Sequence, residues 1–248
     1  MFVNNIDPIL LRLGIFEVRY YGLIFALGFI MSFLFLKYFI KKGKLDLDSK
    51  KLDDFIMYII LGVVIGARFF YFVFFDTSVF WTNPLEIFMV WHGGLSFHGG
   101  LIGSVIATIF FVKRHKINFL NLADASVVPA ILGLALGRIA NFTNQELYGT
   151  VSNLPWCVQF TAVDTLCRHP YQLYASLSHF IVFGLLLYIF FRQKKAGTTF
   201  WSFVFLYGAF RFITDFVRVD PKFLGISTGQ ILSLLMVIIS LVVFWKRK

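Results

Sequence analysis

The sequence predicts an all-α polytopic membrane protein with about seven transmembrane helices, and three observations lead there. Of its 248 residues, 58% are hydrophobic and 15% are charged, too few charges to coat a water-exposed surface. Apolar runs close to the roughly 20 residues needed to cross hydrocarbon recur along the chain. Basic residues punctuate the ends of alternate runs instead of gathering into a patch. Backbone groups in lipid must satisfy their own hydrogen bonds, so such runs are read as helices.

Taken in order, the spans lie near 20–40, 55–75, 95–112, 119–139, 171–191, 199–217 and 226–245. A short apolar piece at 85–92 is too brief to cross alone, and a polar insert at 141–170 separates spans four and five. The whole chain, 1–248, reads as one membrane domain, because no repeated module or low-complexity tract divides it. The net charge of +10 would suit nucleic acid if it formed a soluble basic face, but its distribution points to topology instead. Lys37, Lys41, Lys42, Lys44, Lys50 and Lys51 share one loop, Lys113, Arg114 and Lys116 a second, Arg192, Lys194 and Lys195 a third, and Lys246, Arg247 and Lys248 the tail. With seven crossings these all fall on one side, which places the C-terminus in the cytoplasm and the N-terminus and the insert outside.

The first 19 residues carry Asp7, Arg12 and Glu17 and lack a basic leader, so span one is expected to be retained. Cys157 and Cys167 share the external insert, where an oxidising compartment permits a disulfide; their spacing alone does not establish one. Five scattered histidines without an HExxH string or clustered carboxylates predict no metal site. His92, His169 and His179 are read as structural, and His115 as part of a basic loop.

An ionisable side chain inside a span is costly and marks a functional path by default. On this topology Arg68, Arg138, Arg211 and Asp215 fall in the outer half of outward-running helices, while Tyr20, Tyr21 and His98 start inward-running ones. Tyr207, Arg211, Asp215 and Arg218 are spaced by four, four and three residues, which predicts one helix face. The segment 137–149, GRIANFTNQELYG, gathers a cation, three amides and a carboxylate where a span exits and puts Arg138 and Glu146 at the depth of lipid headgroups, where a guanidinium forks onto phosphate oxygens. At 93–100, GGLSFHGG, paired glycines permit close backbone approach, and His98 offers a neutral imidazole as proton acceptor. Together these describe an outward-opening pocket for an anionic ligand.

These strings resemble the bacterial prolipoprotein diacylglyceryl transferases. The Gly-Arg-x-x-Asn-Phe-x-Asn-x-Glu-x-x-Gly run at 137–149 is similar to the family signature in order and spacing. GGLSFHGG at 93–100, RYYG at 19–22, GAR at 66–68, HPYQLY at 169–174 and YGxxRF with Arg218 at 207–218 continue the match over nearly the whole chain. Three positions depart from it: Ala175 and Asp215 stand where members commonly carry glutamate, and Arg19 where some carry histidine.

The resemblance implies that the diacylglyceryl group of phosphatidylglycerol moves to the lipobox cysteine thiol of prolipoprotein signal peptides, forming a thioether and releasing glycerol 1-phosphate. It implies the bacterial cytoplasmic (inner) membrane, an active site towards the outer leaflet, and no cofactor. It nominates His98, Arg138, Glu146 and Arg211 as catalytic, with His98 the preferred base and Glu146 its rival. Arg138, Asn141, Tyr21, Arg68, Tyr207, Gly149, Asp215 and Arg218 are nominated for substrate binding. Three other readings compete. An organic-anion transporter would suit buried arginines, but paired broken half-repeats are missing from the sequence. An intramembrane serine protease could use Ser96 and His98, yet residues two apart on a helix do not face one another. A structural scaffold would leave the outer-half charges unexplained.

Overall fold

The computed structural model describes residues 2–13, 16–89 and 93–247, with the side chains of Leu13 and Phe16 outside the description. Trp91 and His92 of the glycine-rich string, and Lys248 of the basic tail, lie outside the described residues. Seven described helices are long and apolar enough to cross a membrane. They are α1 (Tyr20–Lys41), α2 (Ser49–Phe74), α4 (Phe97–His115), α5 (Phe119–Thr143), α6 (Tyr171–Arg192), α7 (Thr198–Thr214) and α8 (Thr228–Lys246). The short helix α3 spans Val79–Thr82, and Pro84–Phe88 forms a 3₁₀ turn that overlaps the start of the apolar piece at 85–92, whose last three residues lie outside the described ones.

The chain divides into two compact units, Phe39–Leu122 and the remainder. In the unit Phe39–Leu122, α2 and α4 approach so closely that side chains cannot intervene. A Cβ on Gly62 would lie 2.6 Å from the Gly103 carbonyl and from Ala107 Cβ, and one on Gly66 would strike Gly99 and Gly103. Small residues at four-residue spacing on both helices allow this backbone contact, which stands in for the hydrophobic drive that lipid removes. The ends are capped locally. Asp48 Oδ1 accepts from Lys51 N at 2.7 Å at the start of α2, and Ser96 Oγ from Gly99 N at 3.3 Å at the start of α4.

The other unit holds most of α1 and α5, together with α6, α7 and α8. Ala123, Ala125, Val128, Ile131 and Ala135 of α5 are buried, as are Ala175, Val182, Leu186 and Phe190 of α6, and Ser176 Oγ donates to the Ala135 carbonyl at 2.9 Å. Gly28 of α1 faces Gly133 of α5, and Phe35 packs edge-on against Phe183. Leu23, Phe25, Ile30 and Leu34 of α1 stay exposed, as expected for side chains that face lipid. The start of α7 is capped by another span: Asp124 of α5, fully buried, accepts from Gly197 N at 2.5 Å and Phe200 N at 2.7 Å. At that same end Lys195 Nζ donates to the Arg247 carbonyl at 3.0 Å, tying the tail to the α6–α7 loop.

The opposite end of this unit carries the polar insert and, among the described residues, seven short strands. Strand β1 (Phe2–Asn4) pairs in parallel with β4 (Val158–Phe160), which pairs antiparallel with β5 (Cys167–Arg168). A hairpin of β2 (Ile9–Leu13) and β3 (Phe16–Arg19) leads into α1. A second, of β6 (Lys222–Phe223) and β7 (Ile226–Ser227), leads into α8. Cys157 and Cys167 are joined by a disulfide, which the spacing had left open. Asn4 Nδ2 donates to the Phe142 carbonyl at 2.8 Å, so the first strand also holds the end of α5.

Candidate functional site

The last two turns of α5 supply Arg138 and Asn141, and the chain then doubles back through two non-glycine residues with left-handed backbone, Gln145 (φ 56°) and Leu147 (φ 53°). Such conformations cost energy and persist only where surrounding structure fixes them. Here three contacts do so. Glu146 N donates to the Asn141 carbonyl at 3.1 Å, Gln145 Oε1 accepts from Ala162 N at 2.9 Å, and Gln172 Nε2 in the first turn of α6 donates to the Glu146 carbonyl at 2.7 Å. The result presents the Glu146 carboxylate to Asn141 Nδ2 at 2.7 Å and Asn144 Nδ2 at 3.5 Å. Arg138 Nη1 meets Asn141 Oδ1 at 3.4 Å, so the amide stands between cation and carboxylate.

Tyr171, almost fully buried at the start of α6, is the hub of the site. Its hydroxyl donates to Asp215 Oδ1 at 2.6 Å. Its ring lies 5.9 Å from the Arg138 guanidinium and 5.4 Å from that of Arg218. Asp215 is fully buried and sits 3.5 Å from Arg211 Nε, and Arg211 Nη1 donates to Tyr207 OH at 3.3 Å. Gly229 at the start of α8 makes room for this pair, because a Cβ there would lie 2.6 Å from Asp215 Oδ2 and 3.2 Å from Arg211 Nη2. Tyr21, in the first turn of α1, lies within electrostatic reach of both Glu146 and Arg138.

The predicted stripe of α7 holds for Tyr207, Arg211 and Asp215 but ends before Arg218. At Asp215–Val217 the helix tightens into a 3₁₀ turn, and Arg218 leaves in extended conformation with its Nε 3.1 Å from Asp220 Oδ2. The helix therefore cannot carry Arg218 round to the expected face, and it reaches the Tyr171 ring from the loop instead. Gly149 pairs with Arg218 as a β-bridge and is packed so tightly that a Cβ would lie 2.6 Å from the His169 carbonyl and 2.8 Å from that of Val217. Here the insert crosses both the start of α6 and the end of α7, a packing reason for the glycine.

Arg68 and His98 belong to the unit Phe39–Leu122. His98 is exposed in the first turn of α4, beside Phe97. Arg68 is 4% exposed, and its guanidinium is engaged by the backbone carbonyls of Glu86, Ile87, Met89, Gly93 and Gly94.

Three residues of the site were not assigned from the sequence, although two lay inside a quoted string. Tyr171 and Gln172 belong to HPYQLY, but nothing in local spacing shows a hydroxyl reaching a carboxylate 44 residues away. His179, read as structural, is buried two turns further along α6 and stacks on the Tyr207 ring at 5.4 Å. Among the described residues no group of histidines, cysteines and carboxylates could hold a metal ion.

The insert has its own electrostatics. Arg168 Nε donates to Asp164 Oδ1 at 3.2 Å, and this hydrogen bond holds the Asp164 carboxyl below the usual carboxylate range while raising the pKa of Arg168. The Arg168 guanidinium also lies 5.0 Å from the Tyr148 ring, so the latch fastens the insert to the turn that presents Glu146.

What this set of groups offers chemically is several guanidinium groups around a buried tyrosine and carboxylate, a second carboxylate held by amides, and an apolar surround. Groups of this chemistry are suited to an anionic oxygen such as that of a phosphate. The phosphatidylglycerol–prolipoprotein diacylglyceryl transferase of Geobacter sulfurreducens is 40% identical over 243 residues, covering 96% of this chain and 94% of that protein. Proteins of the same name from Bordetella avium and Coxiella burnetii are each 40% identical, over 96% and 99% of this chain and 93% and 97% of their own lengths. The sequence pattern of the prolipoprotein diacylglyceryl transferases matches residues 8–246, and the chain belongs to that family.

Proposed function

We propose that this protein transfers the diacylglyceryl group of phosphatidylglycerol to the lipobox cysteine of prolipoproteins, the first step of bacterial lipoprotein maturation. The observation that carries this reading at the site is the meeting of Arg138, Arg211 and Arg218 around Tyr171 and Asp215 at one end of the helices. In the reaction the cysteine sulfur attacks the glycerol carbon that bears the phosphate. A C–S bond forms, the C–O bond to phosphate breaks, and glycerol 1-phosphate departs with the bonding electron pair.

The thiol proton must leave before or during attack, because the thiolate is the nucleophile. His98 takes that proton, and Glu146 is the rival acceptor. Two contacts support this order: the Glu146 carboxylate already accepts from Asn141 and Asn144, whereas His98 is exposed at the start of its helix. Arg138 and Arg211 hold the donor phosphate and stabilise the charge that grows on the leaving oxygen. Asp215, fixed by Tyr171, sets the angle of Arg211, and Asn141 hydrogen-bonds the headgroup. Tyr21 and Tyr207 position glycerol or ester oxygens, while Gly149 and Arg218 shape the floor between the insert and α7. The donor site opens to the outer leaflet of the inner membrane, with the N-terminus outside and the C-terminus cytoplasmic. The lysine and arginine loops and the Cys157–Cys167 disulfide support that placement.

The test is direct. Purified protein given phosphatidylglycerol labelled in its acyl chains and a lipobox peptide should move the label to the peptide thiol, and a Cys-to-Ser peptide should stay unlabelled. Label on both peptides, or on neither, would overturn the assignment.

A further inference from the structure

We infer that Arg68 is a positioning residue: it fixes the strap that precedes α4 and so holds the first turn of that helix, which carries His98. The inference rests on the transferase reading above, in which His98 takes the thiol proton.

A guanidinium has five N–H donors, and in Arg68 each has a carbonyl partner. Nε donates to Ile87 O at 3.1 Å. Nη1 donates to Gly93 O and to Gly94 O, the latter at 3.3 Å. Nη2 donates to Glu86 O at 2.5 Å and Met89 O at 2.8 Å. The charge is balanced by the Glu86 carboxylate at 3.3 Å, and the guanidinium lies 4.5 Å from the Phe72 ring. No N–H remains to fork onto a phosphate, and the 4% exposed side chain leaves no face for one.

The carbonyls belong to the two described parts of the strap, 86–89 and 93–96, so one cation clamps both. The glycines explain how the chain comes so near. Gly93 (φ 86°) and Gly94 (φ 69°) have left-handed backbone, and a Cβ on Gly94 would lie 2.7 Å from the Tyr71 ring and 3.0 Å from Arg68 Nη1. Two residues on, Ser96 N donates to the Ala67 carbonyl at 2.9 Å, and Ser96 then caps the turn containing His98. From Arg68 to His98 every link is thus a backbone hydrogen bond, a cap or a covalent neighbour. Lysine has three donors on a point charge and cannot satisfy five carbonyls at once.

The experiment compares Arg68→Gln, Arg68→Lys and Gly94→Ala with the wild type, at equal amounts of protein that elutes as a single species in detergent. Two quantities are read: kcat and KM for phosphatidylglycerol, and the rate at which diethyl pyrocarbonate labels His98, followed by peptide mass. All three variants should lose roughly tenfold to a hundredfold in kcat with KM little changed. All three should label His98 at an altered rate, and lysine should not rescue. Gly94→Ala keeps the Arg68 side chain and disturbs its contact with the strap from the other side, so it carries the test if the Arg68 variants do not fold. A raised KM with kcat intact in Arg68→Gln would make Arg68 a donor-lipid contact and overturn the proposal, as would wild-type labelling of His98 in every variant. His98→Gln is run in parallel. Full transfer by that variant would remove the role given to His98, while the labelling rate would still decide whether Arg68 holds it.

Discussion

Replacing Tyr171 with phenylalanine deletes one oxygen and leaves the ring that Arg138 and Arg218 approach, so the change isolates the 2.6 Å hydrogen bond to Asp215. A hydrogen bond to a buried charge is worth about 1.5–3 kcal/mol, and the variant should lose stability of that order by thermal unfolding in detergent. Transfer should fall as well, because Asp215 then orients Arg211 less firmly. Arg138→Gln and Arg211→Gln should each cost about 3 kcal/mol of barrier, roughly a hundredfold in rate, by the same label-transfer measurement. At this scale the sequence shows the candidate residues better than the contacts they make. Arg138, Asn141 and Glu146 sit within nine residues, and their neighbourhood follows from one helix end and one turn. Tyr171 and Gln172 act across the chain, and long-range partners leave no mark in local spacing.

The elements were legible wherever hydrophobic length alone determined them. All seven spans appear as helices, with α2 beginning earlier than expected, at Ser49, because Asp48 caps a polar first turn that apolar runs cannot reveal. The end of α7 was less legible: a four, four, three spacing assumes α-helical rotation, and the 3₁₀ turn at Asp215–Val217 breaks that assumption before Arg218. The contact of α2 with α4 follows from glycine spacing on both helices. Gly103→Leu should force the helices apart and destabilise the protein by about 1–3 kcal/mol in thermal unfolding, as overpacked sites do. If its stability matches the wild type, the close contact of Gly62, Gly66, Gly99 and Gly103 does not hold the pair together.

For the molecule as a whole, the insert gathers what the spans cannot supply. Its disulfide closes a loop with a sequence separation of 10, and removing both cysteines should cost about 3 kcal/mol, read as a Tm difference that reducing agent reproduces in the wild type. The Arg168–Asp164 latch adds a dependence on acid. Asp164 titrates below the ordinary carboxylate range when folded. The stability it contributes is therefore fully present above that ordinary range and disappears as pH falls through the depressed value. Fluorescence of the exposed Trp156, whose indole donates to Tyr174 OH at 2.7 Å, should report this loosening, and Asp164→Asn should remove the pH dependence.

The central claim, that guanidinium groups from separate helices act on a phospholipid phosphate while a cysteine displaces it, is tested most directly by stoichiometry. Lipobox peptide and released glycerol phosphate are quantified together for the wild type, Arg138→Gln and Arg211→Gln. The account predicts one glycerol phosphate for each peptide that gains a diacylglyceryl mass, and a roughly hundredfold slower yield of both products in either variant. Glycerol phosphate released without peptide modification, or undiminished transfer by both variants, would contradict it.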